Sequence, residues 1–202
     1  MLRQCDNLLF LQKLTMMLET DKYIVPIFNT NNTDGIGFFV GNYFITAGHV
    51  VLEGHPFFFM NGKKYLLDKE KALLLKTRDS ESTFENGLDI AVFPIVSVNS
   101  PLEFADKPVE IGAELTSLCA FRRYSEEFGE AWSVERIPGR VSHEMGNFFK
   151  CDLSWALHEG SSGSPILLDD KVIGLLCGNF REDPENRILY LKASAITKLL
   201  EQ

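Results

Sequence analysis

Short apolar runs separated by turn-forming residues fill most of this chain, and this alternation constrains its fold more than any other feature. The turns include Gly41-Asn42 and Asn61-Gly62, and Asn-Gly is a strong hairpin dipeptide. The predicted strands are residues 23–28, 35–40, 43–46, 57–60, 65–67, 73–77, 90–95, 114–121, 139–143, 147–153, 165–168, 171–177 and 188–192. Many short strands joined by turns predict an all-β sandwich or a pair of barrels.

Helical patterns occur only at the two ends of the chain, over residues 1–20 and 194–202. Residues 99–108, with two prolines and several charges, are predicted as a connection between two groups of strands. About six strands lie on each side of it, which favours two antiparallel six-stranded β-barrels. The first would span 21–105 and the second 109–193. Periodicity alone leaves the sandwich open.

Composition narrows the class of protein further. Apolar residues make up 45% of the 202 residues, enough for one packed domain over 1–202. The net charge of −8 opposes binding to nucleic acid or to an anionic membrane. No apolar run approaches the ~20 residues of a membrane span. The apolar run at residues 8–11 is cut by Gln12 and Lys13, so it does not predict a signal peptide.

The four cysteines, Cys5, Cys119, Cys151 and Cys177, form no Cys-x-x-Cys pair and no dense framework. We predict that they are reduced, which points to the cytoplasm. No zinc, P-loop or dinucleotide motif occurs in the sequence, and we expect neither a metal nor a cofactor.

Two short motifs supply a base and an acid for catalysis. His49 ends Thr-Ala-Gly-His at residues 46–49, where small residues let the backbone turn close beside an imidazole. Asp89 directly precedes an apolar run, and an acid there is costly to bury unless it is paired. Each motif alone also fits an ordinary turn residue. Together they suit a carboxylate that orients an imidazole base.

A third motif supplies a nucleophile. Ser162 is the third residue of Gly-Ser-Ser-Gly-Ser-Pro at residues 160–165, which taken alone could be a plain serine-glycine loop. Gly160 can adopt backbone angles that direct its N–H into a site, so the Gly160 and Ser162 amides would form an oxyanion hole. Acyl transfer by serine needs a hydroxyl beside a base, a carboxylate and oxyanion donors, and the three motifs offer each of these.

These motifs, in the order His, Asp, Ser, resemble the signature blocks of the chymotrypsin/trypsin-like serine peptidases, especially the compact bacterial-type members. The resemblance implies a triad of His49, Asp89 and Ser162 in the cleft between two six-stranded barrels. It also implies a substrate-binding set, which is Ala156, Leu157, His158, Cys177, Gly178 and Asn179.

The sequence departs from the family pattern at two places. Ser161 stands where digestive members carry an aspartate that pairs with a newly released N-terminal amine, so we expect no activation by that ion pair. Ala156 stands at the implied base of the pocket, where trypsin-like enzymes hold an aspartate. Cleavage after an uncharged residue of modest size is therefore expected.

The resemblance implies a serine endopeptidase that forms an acyl-enzyme on Ser162, and we expect a regulated cleaver of one or a few protein targets. The expected partners are a protein or peptide substrate and a regulatory protein, with no nucleic acid and no membrane. Two alternatives remain open. One is a pseudopeptidase or peptide-binding module that takes up an extended peptide by strand addition. The other is an esterase that uses the same triad.

Overall fold

The structure is a computed structural model, and it describes residues 19–30, 34–78, 82–125, 129–154, 157, 160–178 and 189–201. The predicted N-terminal helix lies outside these ranges, apart from its last two residues. The strands are β1 Ile24–Ile27, β2 Gly35–Val40, β3 Tyr43–Thr46, β4 Phe57–Met60, β5 Lys63–Leu66, β6 Leu74–Lys76, β7 Ile90–Pro94, β8 Glu114–Ser125, β9 Gly129–Met145, β10 Phe148–Leu153, β11 Pro165–Leu168, β12 Lys171–Gly178 and β13 Leu189–Lys192. The helical elements described are α1 (Ala193–Leu200) and three 3-10 turns, Asp21–Tyr23, Gly48–Val51 and Lys69–Lys71.

The C-terminal half is a closed six-stranded barrel in the order β10-β13-β12-β11-β8-β9, with antiparallel neighbours throughout. This half confirms the prediction of a six-stranded barrel. The described residues of its interior are mostly apolar, and the buried Tyr190 hydroxyl forms a 2.9 Å hydrogen bond with the buried Ser117 hydroxyl. That bond removes the cost of burying two lone hydroxyl groups.

The N-terminal half is not confirmed as a second closed barrel. Five strands form an open sheet in the order β1-β2-β3-β7-β6, and β4 and β5 form a separate hairpin. Within the described residues, the hairpin meets the backbone of β1's end through reciprocal hydrogen bonds of 2.8 and 2.9 Å between Phe28 and Phe57. No strand register joins β5 to β6 among those residues, because the chain passes between them through the 3-10 turn Lys69–Lys71.

Aromatic side chains hold the hairpin against the open sheet. Phe58 of β4 stacks on Phe44 of β3 with ring centroids 4.3 Å apart, and on Tyr65 of β5 at 5.0 Å. Phe39 of β2 meets Phe44 edge to face at 5.0 Å. Large aromatic rings bury much apolar surface and gain further from these geometries. Side-chain packing therefore joins the hairpin to the sheet, where a closed barrel would use a ladder of backbone hydrogen bonds.

A long two-stranded ribbon extends β8 and β9 past their contacts with the barrel. Their register runs from the Glu114–Arg140 pair to the Ser125–Gly129 pair. The sequence predicted strands only over 114–121 and 139–143 because the stretch between is rich in charge and shows no clear alternation. A ribbon whose two strands pair with each other needs no such alternation to satisfy its backbone.

Turns at the ends of these strands carry the three motifs. The motif that contains His49 follows β3, Asp89 directly precedes β7, and residues 160–165 lead into β11. Among the described residues, no helix is long and apolar enough to cross a membrane.

Candidate active site

His49 lies in the 3-10 turn Gly48–Val51, where the chain leaves β3. Gly48 is required there because a Cβ on it would stand 2.1 Å from the Lys76 carbonyl oxygen and 3.0 Å from the Ile90 amide nitrogen. No side chain fits so close to backbone of β6 and β7. The turn is thereby held next to the start of β7, and the His49 side chain stays 41% exposed.

Asp89 is the buried partner of His49. Its side chain is only 1% exposed, and its Oδ2 lies 2.7 Å from His49 Nδ1. Its Oδ1 accepts a second hydrogen bond of 2.9 Å from the His49 backbone N–H. A buried carboxylate is tolerated when its oxygens accept such bonds. Because a carboxylate only accepts, Nδ1 donates and Nε2 is left as the basic nitrogen of the ring.

The turn that holds Ser162 is wedged between two strands. Ile36 of β2 donates its N–H to the Ser162 carbonyl at 2.8 Å, and the Gly163 N–H donates to the Leu176 carbonyl of β12 at 2.8 Å. Gly160 and Gly163 have φ of +84° and +90°, a region that favours glycine. A Cβ on Gly163 would lie 2.0 Å from the Ile36 carbonyl oxygen, so this glycine is also a steric requirement.

Exposure separates the three serines of this motif. Ser161 is 4% exposed and Ser164 is fully buried, whereas Ser162 is half-buried. A nucleophile has to be reached by its substrate, so only Ser162 of the three meets that condition. In the described part of the chain, the amides of Gly160 and Ser162 donate to no acceptor. Both Ser162 and His49 are described, and the Ser162 hydroxyl forms no hydrogen bond with the His49 imidazole.

Comparison of the chain with known proteins identifies its fold. No protein family model matches the chain. No curated protein matches it. Solved structures do match: the Rv3671c protease from M. tuberculosis has a TM-score of 0.61 at 18% identity, over 90% of this chain and 81% of that one. A serine endoprotease from Yersinia pestis has a TM-score of 0.61 at 22% identity, over 91% of this chain and 63% of that one. Mouse neuropsin, a serine protease, has a TM-score of 0.63 at 12% identity, over 91% and 96% of the two chains.

The chain has the chymotrypsin/trypsin fold. The chymotrypsin-like fold that the resemblance of the motifs implied is therefore confirmed, while the closure of its N-terminal barrel is not. At these identities the likeness shows the architecture only, so the chemistry of the candidate site follows from its own residues.

The residues that the resemblance assigned to substrate binding are described only in part. Leu157 is half-buried and packs against both apolar clusters of the core. Cys177 is buried near the end of β12, and Gly178 ends that strand with φ of +80°. The other predicted members, Ala156, His158 and Asn179, lie outside the described residues, as do Glu159 and Ile188 beside them.

Arg78 belongs to this candidate site although no motif pointed to it. Its Nη2 donates to the Cys177 carbonyl at 2.8 Å, and its Nε lies 3.7 Å from Asp89 Oδ2. The arginine follows β6 in a polar stretch of sequence, where a charged residue carries no signal of its own. The contacts come from residues 11 and 99 positions away, so only the fold brings them together.

The described cysteines are free thiols, as the sequence predicted, while Cys5 lies outside the described residues. Burial raises the pKa of Cys151 to about 12. Burial, and next the negative charge of Asp89, raise the pKa of Cys177 well above its ordinary value. Burial also raises the pKa of Cys119. Protonated thiols are poor nucleophiles, so none of these three cysteines is suited to that role.

Proposed function

We propose that this chain is a serine endopeptidase that hydrolyses peptide bonds through an acyl-enzyme on Ser162. The observation that carries the proposal is the pairing of buried Asp89 with the imidazole of His49, at 2.7 Å between Oδ2 and Nδ1. This pairing keeps Nε2 basic, which is the tautomer that a general base needs. The chymotrypsin/trypsin fold, shared with structures named as serine proteases, supports it further.

The packing around β2 supports the approach of the serine turn to the histidine turn. A Cβ on Gly35 would lie 3.1 Å from the Ser162 carbonyl oxygen and 2.7 Å from the side chain of Val50. Val50 directly follows His49 in the same 3-10 turn. One residue of β2 thus separates the backbone of the nucleophile from the turn of the base.

In the proposed reaction, the Ser162 Oγ attacks the carbonyl carbon of the scissile peptide while its proton passes to His49 Nε2. The carbonyl oxygen becomes an oxyanion and accepts hydrogen bonds from the Gly160 and Ser162 amides. The C–N bond then breaks as His49 gives its proton to the leaving amine. Water repeats the sequence on the acyl-enzyme and releases the acid, with Asp89 ionised throughout.

The remaining parts of the proposal concern partners and location. The substrate is a protein or peptide, and no cofactor enters the reaction. Ser161 is buried where the digestive members carry an aspartate, so that ion pair cannot hold the oxyanion turn, and we propose a regulatory protein as a further contact beside the backbone bonds to Ile36 and Leu176. The three free buried thiols support a reducing compartment, and we propose the cytoplasm. We also propose that residues 1–202 act as one peptidase domain.

A fluorophosphonate probe tests the nucleophile because it reacts with activated serines. We expect the wild-type chain to be labelled on Ser162, located by mass spectrometry, and Ser162→Ala to lose the label. Ser161→Ala is the matched control, since it removes an adjacent but buried hydroxyl, and it should be labelled at close to the wild-type rate. Label that persists in Ser162→Ala, or that maps to another residue, would contradict the proposal.

A peptide-binding module without turnover is the second candidate, and one observation favours it. Within the described residues, the Ser162 hydroxyl forms no hydrogen bond with His49, so the nucleophile is not in contact with its base. The same probe separates the two candidates. Absence of labelling together with retained binding of an extended peptide would favour the module. Fast turnover of an ester without proteolysis would instead favour an esterase.

A further inference from the structure

Arg78 joins two parts of the candidate site that come from different halves of the fold. Its guanidinium lies between the carboxylate of Asp89, at the start of β7, and the carbonyl of Cys177, near the end of β12. The side chain is 20% exposed, so it is largely enclosed between these groups. A planar guanidinium can serve two acceptors at once with fixed geometry.

The charge of Arg78 matters because Asp89 is buried at 1% exposure. The hydrogen bonds from His49 solvate this carboxylate, but a neutral imidazole brings no countercharge. Among the described residues, Arg78 is the permanently charged cation within ion-pair distance of Asp89. A buried carboxylate needs such a partner in the state in which the histidine acts as a base.

The Cys177 carbonyl is available to Arg78 because β12 carries a bulge at this residue. The register with β13 shifts between Leu176 and Gly178, and Cys177 itself has no partner in that register. Without a partner in this register, the Cys177 carbonyl needs a donor from outside the ladder. Arg78 satisfies it at 2.8 Å, which fixes the end of β12 relative to Asp89.

Building on the proposed function, we propose that Arg78 is a positioning residue for the peptidase reaction. It supplies the countercharge of Asp89 and anchors the Cys177 end of β12, which the resemblance assigned to substrate binding. It touches neither the scissile bond nor the base. Its effect passes through Asp89 to the imidazole, and its loss should change how the site responds to pH.

The sign of that change follows from the groups around the carboxylate. Asp89 is faced by His49 from the 3-10 turn, by Arg78 from the stretch after β6, and by the Cys177 thiol, whose Sγ lies 3.2 Å from the Asp89 backbone oxygen. The guanidinium and the imidazole contact the same Oδ2, so the positive charge of Arg78 opposes protonation of His49. Removing it stabilises the imidazolium, and the acid limb of activity should move to higher pH by at least about half a unit, the value for charges ~6 Å apart in water.

The experiment compares Arg78→Gln, Arg78→Lys and Lys76→Gln in the full chain. The fluorophosphonate labelling rate is measured from pH 5 to 9, and the downfield proton NMR signal of the His49 Nδ1–H is titrated in parallel. Arg78→Gln should raise both midpoints by at least about half a unit. Arg78→Lys keeps the charge and should keep both midpoints while labelling more slowly at every pH, because an ammonium lacks the planar fork. Lys76→Gln removes an equal charge from an exposed position two residues away and should leave both midpoints unchanged.

The two readouts separate this inference from the proposed function. Labelling that fails in the wild type as well would overturn the proposed function, and the NMR midpoints would still decide the role of Arg78. Equal midpoints in wild type and Arg78→Gln would overturn the positioning role, even if the variant were less stable or slower. Equal shifts in Arg78→Gln and Lys76→Gln would also overturn it, since a general charge effect would then explain the result.

Discussion

Replacing Gly163 by alanine tests how tightly the serine turn is wedged between β2 and β12. Two costs are expected. The first is conformational, because φ at Gly163 is +90°, and an L side chain there costs about 1–2 kcal/mol. The second is steric, because the new Cβ would lie 2.0 Å from the Ile36 carbonyl oxygen and 2.6 Å from Thr46 Oγ1. Relieving that overlap by backbone movement should add about 1–3 kcal/mol.

Gly112 provides a control that isolates the steric cost. Its φ is +92°, nearly that of Gly163, but a Cβ on it would meet nothing within 4 Å. Gly112→Ala should therefore lose only the conformational part, about 1–2 kcal/mol of the free energy of unfolding. Gly163→Ala should lose about 3–5 kcal/mol, counting also weakening of the 2.8 Å bond from its N–H to Leu176.

Urea denaturation followed by tryptophan fluorescence measures both losses, and fluorophosphonate labelling of the folded fraction reports on the serine. Because the Gly163 backbone cannot stay in place, Ser162 should shift and its labelling should slow by more than about tenfold, as small misplacements do in active sites. Labelling of Gly112→Ala should be unchanged. If the two variants lose equal stability, the contacts of Gly163 with Ile36 and Thr46 do not constrain the turn, and the steric argument is refuted.

Two further predictions concern buried ionisable groups. In Asp89→Asn, the amide can no longer accept from both the backbone N–H and Nδ1 of His49. Labelling of Ser162 should therefore slow by about 10⁴-fold, as for the corresponding change in chymotrypsin-like proteases. A rate within tenfold of wild type would contradict the role of Asp89. The pKa of Cys151 is raised to about 12 from 9.0, so the unfolded chain loses this proton first as pH rises and stability falls above pH 9. Between pH 8 and 10, ionisation of this thiol in the unfolded chain should lower the free energy of unfolding by about 1.4 kcal/mol. Urea denaturation at both pH values measures the fall in wild type and in Cys151→Ala, and the variant's fall should be smaller by this amount. An identical fall in the variant would show that the thiol is not responsible.

The strands could be predicted from the sequence because each depends on a local pattern. Apolar runs bounded by Gly-Asn or Asn-Gly turns matched β2 to β5 closely. Closure of a sheet is not local, since it depends on whether the first and last strands meet. In the N-terminal half, the hairpin of β4 and β5 reaches the sheet through one residue pair and a set of aromatic contacts. Nothing in a pattern of period two distinguishes that arrangement from a closed barrel.

The site was predictable only where a motif carried it. His49 and Asp89 were selected from short contexts, and the structure places their side chains in contact. Arg78 was not selected, because its partners Asp89 and Cys177 are set by the packing of two halves of the chain. The sequence around a single arginine after a strand is the same whether its side chain is exposed to solvent or buried. The pocket residues remain predictions, with Ala156 and Asn179 outside the described residues.

The glycines of the motifs show why these segments converge. Thr46, which begins the motif that ends in His49, donates its hydroxyl to the Ile36 carbonyl at 2.7 Å, and Gly163 packs against both of these oxygen atoms. Gly48 packs in the same way against backbone of β6 and β7, next to Asp89. The motifs that contain His49 and Ser162 therefore each have a glycine at the place where another segment contacts them. It follows that Gly48 and Gly163 are needed to bring these segments together and not only to shape a loop. A chain that kept His49, Asp89 and Ser162 but enlarged either glycine should keep their order in the sequence and lose this packing.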